Sequence, residues 1–221
     1  MEVSAGIDHR TSDRFLDTVS AGAGIRFGAL LVESFRLIGS VSRESEYRAE
    51  NKYVDHSDDR YTRFRLNAAW DLGEAHQVSL GYYFSRYKSV PFQVSPFQDF
   101  VSESESAILG YTYFADWGQA GITLAEVLGS EFGASAAVNA EYKLPGLGGE
   151  TEFFALASAG GALNGDGEGF SAGLRAKMPN NYNLYFNADR NFFSFGGNST
   201  IFSLSLVKSF GANAGRIFRR H

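Results

Sequence analysis

No cysteine occurs in the chain, which excludes disulfide staples and thiolate metal sites. Proline is scarce, with 4 residues, so few points force a strand or helix to stop. No window holds the ~18 consecutive apolar residues of a membrane-spanning helix. A net charge of −5 argues against nucleic acid as a partner. The first ten residues, MEVSAGIDHR, have neither the basic start nor the apolar core of a secretory leader. If the chain works in a membrane, it is expected to be a mature or trimmed form with an added Met.

What the chain does have is glycine and aromatics: 25 Gly, 20 Phe and 11 Tyr among 221 residues. That composition predicts many strands and few long helices. The pattern is clearest in Thr200 to Phe210, TIFSLSLVKSF. Side chains alternate with period 2 along a strand, so Phe202, Leu204, Leu206 and Phe210 share one face. Ser203, Ser205 and Ser209 share the other, and Lys208 interrupts the apolar face near its end.

The same alternation recurs along the whole chain. Strands are expected over Glu2 to Arg10, Thr18 to Gly28 with a tight turn after it, and a third running to about Arg43. Four more cover Thr62 to Leu72, Gln77 to Arg86, Ala107 to Tyr113 and Ala120 to Leu128, the last with apolar residues on both faces. Ala134 to Leu144, Thr151 to Gly160, Phe170 to Met178, Tyr182 to Asp189 and Thr200 to Phe210 complete twelve. Phe153 and Phe154 point to opposite faces, so the register of Thr151 to Gly160 is open. Strands of about nine to twelve residues are long enough to cross a bilayer at a tilt. Tight turns, such as Asp116-Trp117-Gly118 and Pro179-Asn180-Asn181, alternate with longer connections. The longest are Glu44 to Arg60, with six acidic residues, and Tyr87 to Glu105, with Pro91 and Pro96.

A soluble β-sandwich or lipocalin-like barrel also alternates, but its apolar face must converge on a core of bulky aliphatics. Here the face opposite the apolar one is Gly, Ser, Asn and Arg, which reads as a hydrated lumen. Trp70, Tyr82, Phe84, Tyr111, Tyr113, Trp117 and Tyr142 fall near strand ends, where interfacial girdles lie.

The chain resembles bacterial outer-membrane β-barrel proteins, with a porin-like plan and no subfamily matched by motif. The resemblance implies an all-β, closed, antiparallel, up-and-down transmembrane barrel of twelve strands over residues 1–210, with 211–221 as a C-terminal tail. The tail GANAGRIFRRH departs from family members that stop at the terminal aromatic. The resemblance further implies a monomer in the outer membrane with both termini periplasmic, membrane lipid and lipopolysaccharide around it, and the barrel assembly machinery engaging the last strand. Similar twelve-stranded barrels include porins for acidic oligosaccharides, outer-membrane phospholipases and autotransporter translocators.

Function is sought on the inward face. Arg26, Arg36, Arg63, Arg65, Arg175 and Lys177 are expected there, with Lys143 beside them and Asp8, Asp71, Glu141 and Asp189 in partial offset. Guanidinium groups in a narrow, low-dielectric pore concentrate anions. The expected function is therefore diffusion of small anionic or polar solutes, saccharides included, with no cofactor and no catalysis. Two alternatives stay open. The arginines can pair with inward carboxylates in a filled, non-conducting accessory barrel linked to envelope polysaccharide secretion. An outer-membrane lipid-modifying enzyme would need a Ser beside a His and a third polar group. The only histidines are His9, His56, His76 and His221. His9 with Ser12 and Asp13 reads more simply as a turn, and His56 with Asp55 and Asp58 as a solvated loop. Asn164-Gly-Asp166-Gly-Glu168 has alternate oxygen ligands without the closing bidentate Glu of a calcium loop. Gly146 to Gly149 lacks the Lys-Ser/Thr and helix of a phosphate loop.

Overall fold

The structure, a computed structural model, describes residues 1–12, 18–48, 58–89, 100–128, 133–145, 150–163, 167–192 and 198–210. Twelve strands are present among them: β1 (Glu2–Ser12), β2 (Thr18–Val32), β3 (Phe35–Arg48), β4 (Asp58–Leu72), β5 (His76–Ser89) and β6 (Phe100–Ala115). The series continues with β7 (Gly118–Val127), β8 (Ala134–Leu144), β9 (Glu152–Ala162), β10 (Glu168–Met178), β11 (Tyr182–Phe192) and β12 (Ser199–Ser209). Each pairs antiparallel with its sequence neighbours, and β1 pairs with β12 to close the barrel. Closure matters physically, because it leaves no sheet edge with unpaired amides to face lipid. The seam is locked at its end by Phe210 N–H donating to Met1 O at 2.6 Å and the Met1 amine donating to Phe210 O at 3.0 Å.

The apolar face of every strand lies outside. Ile25, Phe27, Leu80, Leu174 and Leu204 are about half exposed or more, whereas Ile38, Ala69, Phe114, Phe154 and Val207 are the buried hydrophobics among the described residues. That arrangement inverts a soluble barrel, whose aliphatics fill the inside. It is the arrangement of a transmembrane barrel, with lipid as the solvent of the outer wall. The twelve-stranded, up-and-down architecture expected from the alternation is the one found.

The short connections share one end with Met1 and Phe210, the first and last described residues. They are Glu33-Ser34, Gly73 to Ala75, Asp116-Trp117, the 145–151 connection and Pro179 to Asn181. Asn180 and Asn181 have φ of 61° and 60°, left-handed conformations that asparagine tolerates better than most residues and that turn the chain within the three-residue connection from β10 to β11. An outward aromatic belt marks this end. Phe35 packs on Trp70 at 4.8 Å and Trp117 stacks on Tyr142 at 6.4 Å. Lys208 Nζ sits 3.9 Å from the Tyr182 ring centroid and donates to Asn180 O, which lets its charge reach water from a lipid-facing strand.

Three expectations change. No turn occurs near Gly28: β2 runs on to Val32, because Gly28 faces inward opposite Ile38 and Ala29 and Leu31 continue the outward face. β3 extends past Arg43 to Arg48. His9 stands within β1, opposite Val19 and Phe202 on the outward face, and not in a turn. The register left open in β9 resolves with Phe154 inward and buried, and Phe153 outward. The tail 211–221, the 146–149 and 164–166 stretches and His56 lie outside the described residues.

Candidate functional site

The lumen is built by the inward half of each strand. All seven basic residues expected there are on it: Arg26 on β2, Arg36 on β3, Arg63 and Arg65 on β4, Lys143 on β8, and Arg175 and Lys177 on β10. Opposite residues in an antiparallel ladder share a side, so this placement follows from the register. The described carboxylates on the same face are Glu2, Asp8, Glu44, Asp71, Glu141, Glu152 and Asp189. Among the described side chains, seven cations thus meet seven carboxylates.

Most of the charges are matched one to one. Arg26 Nη1 binds Glu2 Oε2 at 3.2 Å. Arg36 donates to Asp71, which also accepts from Gln77 Nε2 at 2.9 Å. Arg63 pairs with Glu44, and Lys143 and Lys177 share Glu152 at 2.6 and 2.8 Å. Arg175 pairs with Glu141, which also accepts from Gln119 Nε2 at 3.2 Å. Arg65 is the exception. Among the described residues no carboxylate lies within ion-pair range of it, and its opposite neighbours are Ser40 and Tyr83. Glu2, Glu44 and Glu152 were not foreseen as partners. Glu2 and Glu152 begin their strands, where the alternation gives its weakest signal, and Glu44 lies in the part of β3 beyond its expected end at Arg43.

Burial divides the lumen into two zones. Near the turns, nine strands contribute a buried inward side chain: Glu2, Arg36 with Ile38, Ala69, Phe114, Glu141, Phe154, Arg175, Asn183 and Val207. Arg36 is 2% and Arg175 0% exposed. The Arg175 guanidinium lies 3.9 Å from the centroid of the Phe154 ring, a cation–π contact that gains strength from desolvation. These side chains form a ring that narrows the turn end.

The loop half is roomier and lined by small residues. A cavity of about 400 Å³ runs past Ser4, Gly6, Asp8, Gly22, Gly24, Ser42, Glu44, Arg63, Asn187, Ser205 and Val207. Another of about 440 Å³ lies against Ser135, Ser158, Gly160, Ser171, Asp189 and Asn191. Beyond the ring, the turn-side mouth holds a cavity of about 480 Å³ bounded by Phe114, Phe154, Lys143, Glu152 and Lys177. The lumen therefore has the form of an hourglass.

Of the candidate group His9, Ser12 and Asp13, Asp13 lies outside the described residues. His76 begins β5 on the outward face, its Nδ1 2.7 Å from Tyr111 Oη and its ring near Tyr113, as part of the aromatic belt. No group of three or more His, Cys, Asp or Glu is placed to hold a metal ion among the described residues.

No protein-family model matches the chain, and no curated protein matches it in sequence. Solved structures match in fold. The chain is similar to the KdgM porin in complex with disordered oligogalacturonate, at 11% identity over 94% of this chain and 99% of that one, TM-score 0.57. It is similar to outer membrane phospholipase A from Escherichia coli, at 10% identity over 94% and 92%, TM-score 0.58. It is also similar to the translocator domain of autotransporter NalP from Neisseria meningitidis, at 14% identity over 95% and 88%, TM-score 0.52. The chain thus has the fold of outer-membrane β-barrels. That fold carries pores, enzymes and translocators alike.

Proposed function

We propose that the protein is a monomeric outer-membrane channel through which small polar solutes, anionic ones and saccharides included, diffuse past the turn-side ring. The observation that carries this reading is the pair of cavities, about 400 Å³ on the loop side and about 480 Å³ on the turn side, each bordered by side chains of the buried ring, Val207 for the first and Phe114 with Phe154 for the second. Short turns and both termini face the periplasm in this proposal, as in bacterial barrels of this plan. The last strand, β12, is the segment that engages the assembly machinery. No catalytic step is part of the proposal. Fold-level likeness to a porin that binds oligogalacturonate agrees with a saccharide solute, as an analogy only.

Charge pairing tempers the selectivity. Ion-paired arginines present little net field, so the selectivity rests on the balance of Arg65 against the inward carboxylates Asp8 and Asp189. A second reading draws on the burial of Arg36 and Arg175 in the ring: a filled accessory barrel that serves envelope polysaccharide secretion without conducting. Single-channel recording of the refolded protein in a planar bilayer decides between them. Small, steady steps with weak ion selectivity support the channel. A folded, heat-modifiable barrel that conducts neither as wild type nor as Phe154→Ala supports the filled barrel. Failure to enter a bilayer, with good solubility in plain buffer, would overturn both.

A further inference from the structure

The turn-side ring holds buried oxygens that no donor of the described chain meets. Asn183 on β11 faces inward and is 8% exposed. Its carboxamide oxygen, Oδ1, is buried and has no hydrogen-bond partner among the described residues. Asn67 on β4 repeats the situation five strands away around the closed barrel, with its own Oδ1 buried and without a partner. It stands opposite Ile38 and one inward position from Ala69, both members of the ring. A buried acceptor without a donor is destabilising, and native chains satisfy such groups with protein, water or a bound molecule. In a ring with a hydrated cavity on either side, the donor comes from the lumen.

Asn183 stands between the two halves of the lumen. Of its opposite neighbours, Val207 lines the loop-side cavity and Lys177 the turn-side one. Tyr185, the next inward residue of β11, also lines the loop-side cavity. A solute crossing the ring on this side passes the carboxamide. Each orphan oxygen also has a cation near it. Lys177 is directly opposite Asn183, which sets their Cβ atoms ~5 Å apart. Arg65 is the next inward residue to Asn67 on β4, toward the loops.

An acceptor beside a cation discriminates by chemistry. An anion brings no donor to the oxygen, and a metal cation is held off by the ammonium or guanidinium next to it. A hydroxyl satisfies both, because it donates to the carboxamide and accepts from the cation. Two hydroxyls on adjacent carbons do so at once. Net charge contributes little here, since Arg36 and Arg175 in the ring are held by Asp71 and Glu141. We infer that Asn183 and Asn67 are hydroxyl-binding stations in the ring, and that they select neutral polyols and neutral saccharides over donor-free solutes of similar size. The inference rests on the channel reading above and narrows its class of solute.

The test uses the full chain refolded into proteoliposomes and the efflux of trace xylitol and trace glycine betaine, a small solute of zero net charge without a hydrogen-bond donor. Wild type should release xylitol faster than betaine by at least about fivefold, the scale of one net hydrogen bond. Asn183→Leu keeps the volume and removes the acceptor, and it should bring the ratio toward one while potassium chloride conductance persists. Asn67→Leu should act in the same direction. Asn187→Leu removes a carboxamide from the wall of the loop-side cavity, outside the ring, and should keep the preference. Heat-modifiable migration confirms folding, and the two-solute comparison on wild type stands even if a ring variant does not fold. Equal release of the two solutes by a conducting wild type would overturn the inference alone. So would an undiminished preference in both ring variants. Absence of both conductance and efflux in wild type would overturn the channel reading, and the inference with it.

Discussion

The guanidinium of Arg175 lies flat enough on Phe154 to put its central carbon 3.9 Å from the ring centroid. Phe154 is 1% and Arg175 0% exposed. Together they are the densest part of the ring that separates the two halves of the lumen. Phe154→Ala should therefore enlarge the single-channel step, since the aromatic wall of the turn-side cavity is removed. In a dry core such a truncation costs about 3–5 kcal/mol. Water can enter from the adjoining cavity, so the lower end of that range is expected in urea unfolding.

Glu141 neutralises the same arginine. Replacing it with Gln keeps the shape and removes the charge, which strands a buried cation at a cost of about 3–5 kcal/mol. Glu141→Gln should unfold at clearly lower urea than wild type. Arg175→Met added to it should recover much of the loss, because the pair is then replaced by apolar packing. A double-mutant cycle that came out additive would show that the two residues do not act as a unit.

Arg65 and Arg63 are neighbours on one inward face with different surroundings. Arg63 pairs with Glu44, while Arg65 lies beside Ser40 and Tyr83. Arg65→Ala should reduce the anion-to-cation permeability ratio with stability within about 0.5 kcal/mol of wild type. Arg63→Ala instead exposes Glu44 and should turn the channel toward cations. Reversal potentials under a salt gradient read both.

Alternation made the wall legible. Period 2 forces all of Phe202, Leu204 and Leu206 to one side, and a slip by one residue would turn that whole face into the lumen. The inward arginines were legible for the same reason. Their partners were not. Glu141 and Arg175 are 34 residues apart and meet across β9, a distance fixed by the register of two ladders and the tilt of the barrel, which no local pattern encodes. Glu44 reads as part of an acidic connection until β3 is seen to continue past Arg43. Phe153 and Phe154 read equally well either way up. Only pairing of Phe154 with Lys143 and Arg175 on its two flanks sets which one fills the ring.

Gly118 tests the turn that brings β6 onto β7. Its φ is 136°, and a Cβ there would overlap the backbone carbonyl of Glu141. Gly118→Ala thus meets both backbone strain and a clash with a neighbouring strand that cannot swing aside. The expected result is slower or incomplete refolding, seen as loss of the heat-modifiable band. Gly73→Ala shares the positive φ, at 78°, but has open space around it. It should fold with only a modest loss of stability. Equal behaviour of the two variants would mean that the contact with β8 contributes nothing.

The turn-side mouth offers a charge change separable from the ring. Glu152 holds Lys143 at 2.6 Å and Lys177 at 2.8 Å, and all three side chains are a third to a half exposed. Pairs this exposed contribute about 0–1 kcal/mol, so Glu152→Gln should leave unfolding almost unchanged. It does leave two ammonium groups without their shared carboxylate at one entrance. Anions on that side should then gather at the mouth, and the current should rectify, with larger steps when anions are driven from the turn side. Raising the salt from 0.1 M to 1 M shortens the screening length from about 10 Å to about 3 Å, so the rectification should fade. Rectification that persists at 1 M salt would place its origin inside the ring, with the buried charges of Arg36 and Arg175, and not at the mouth.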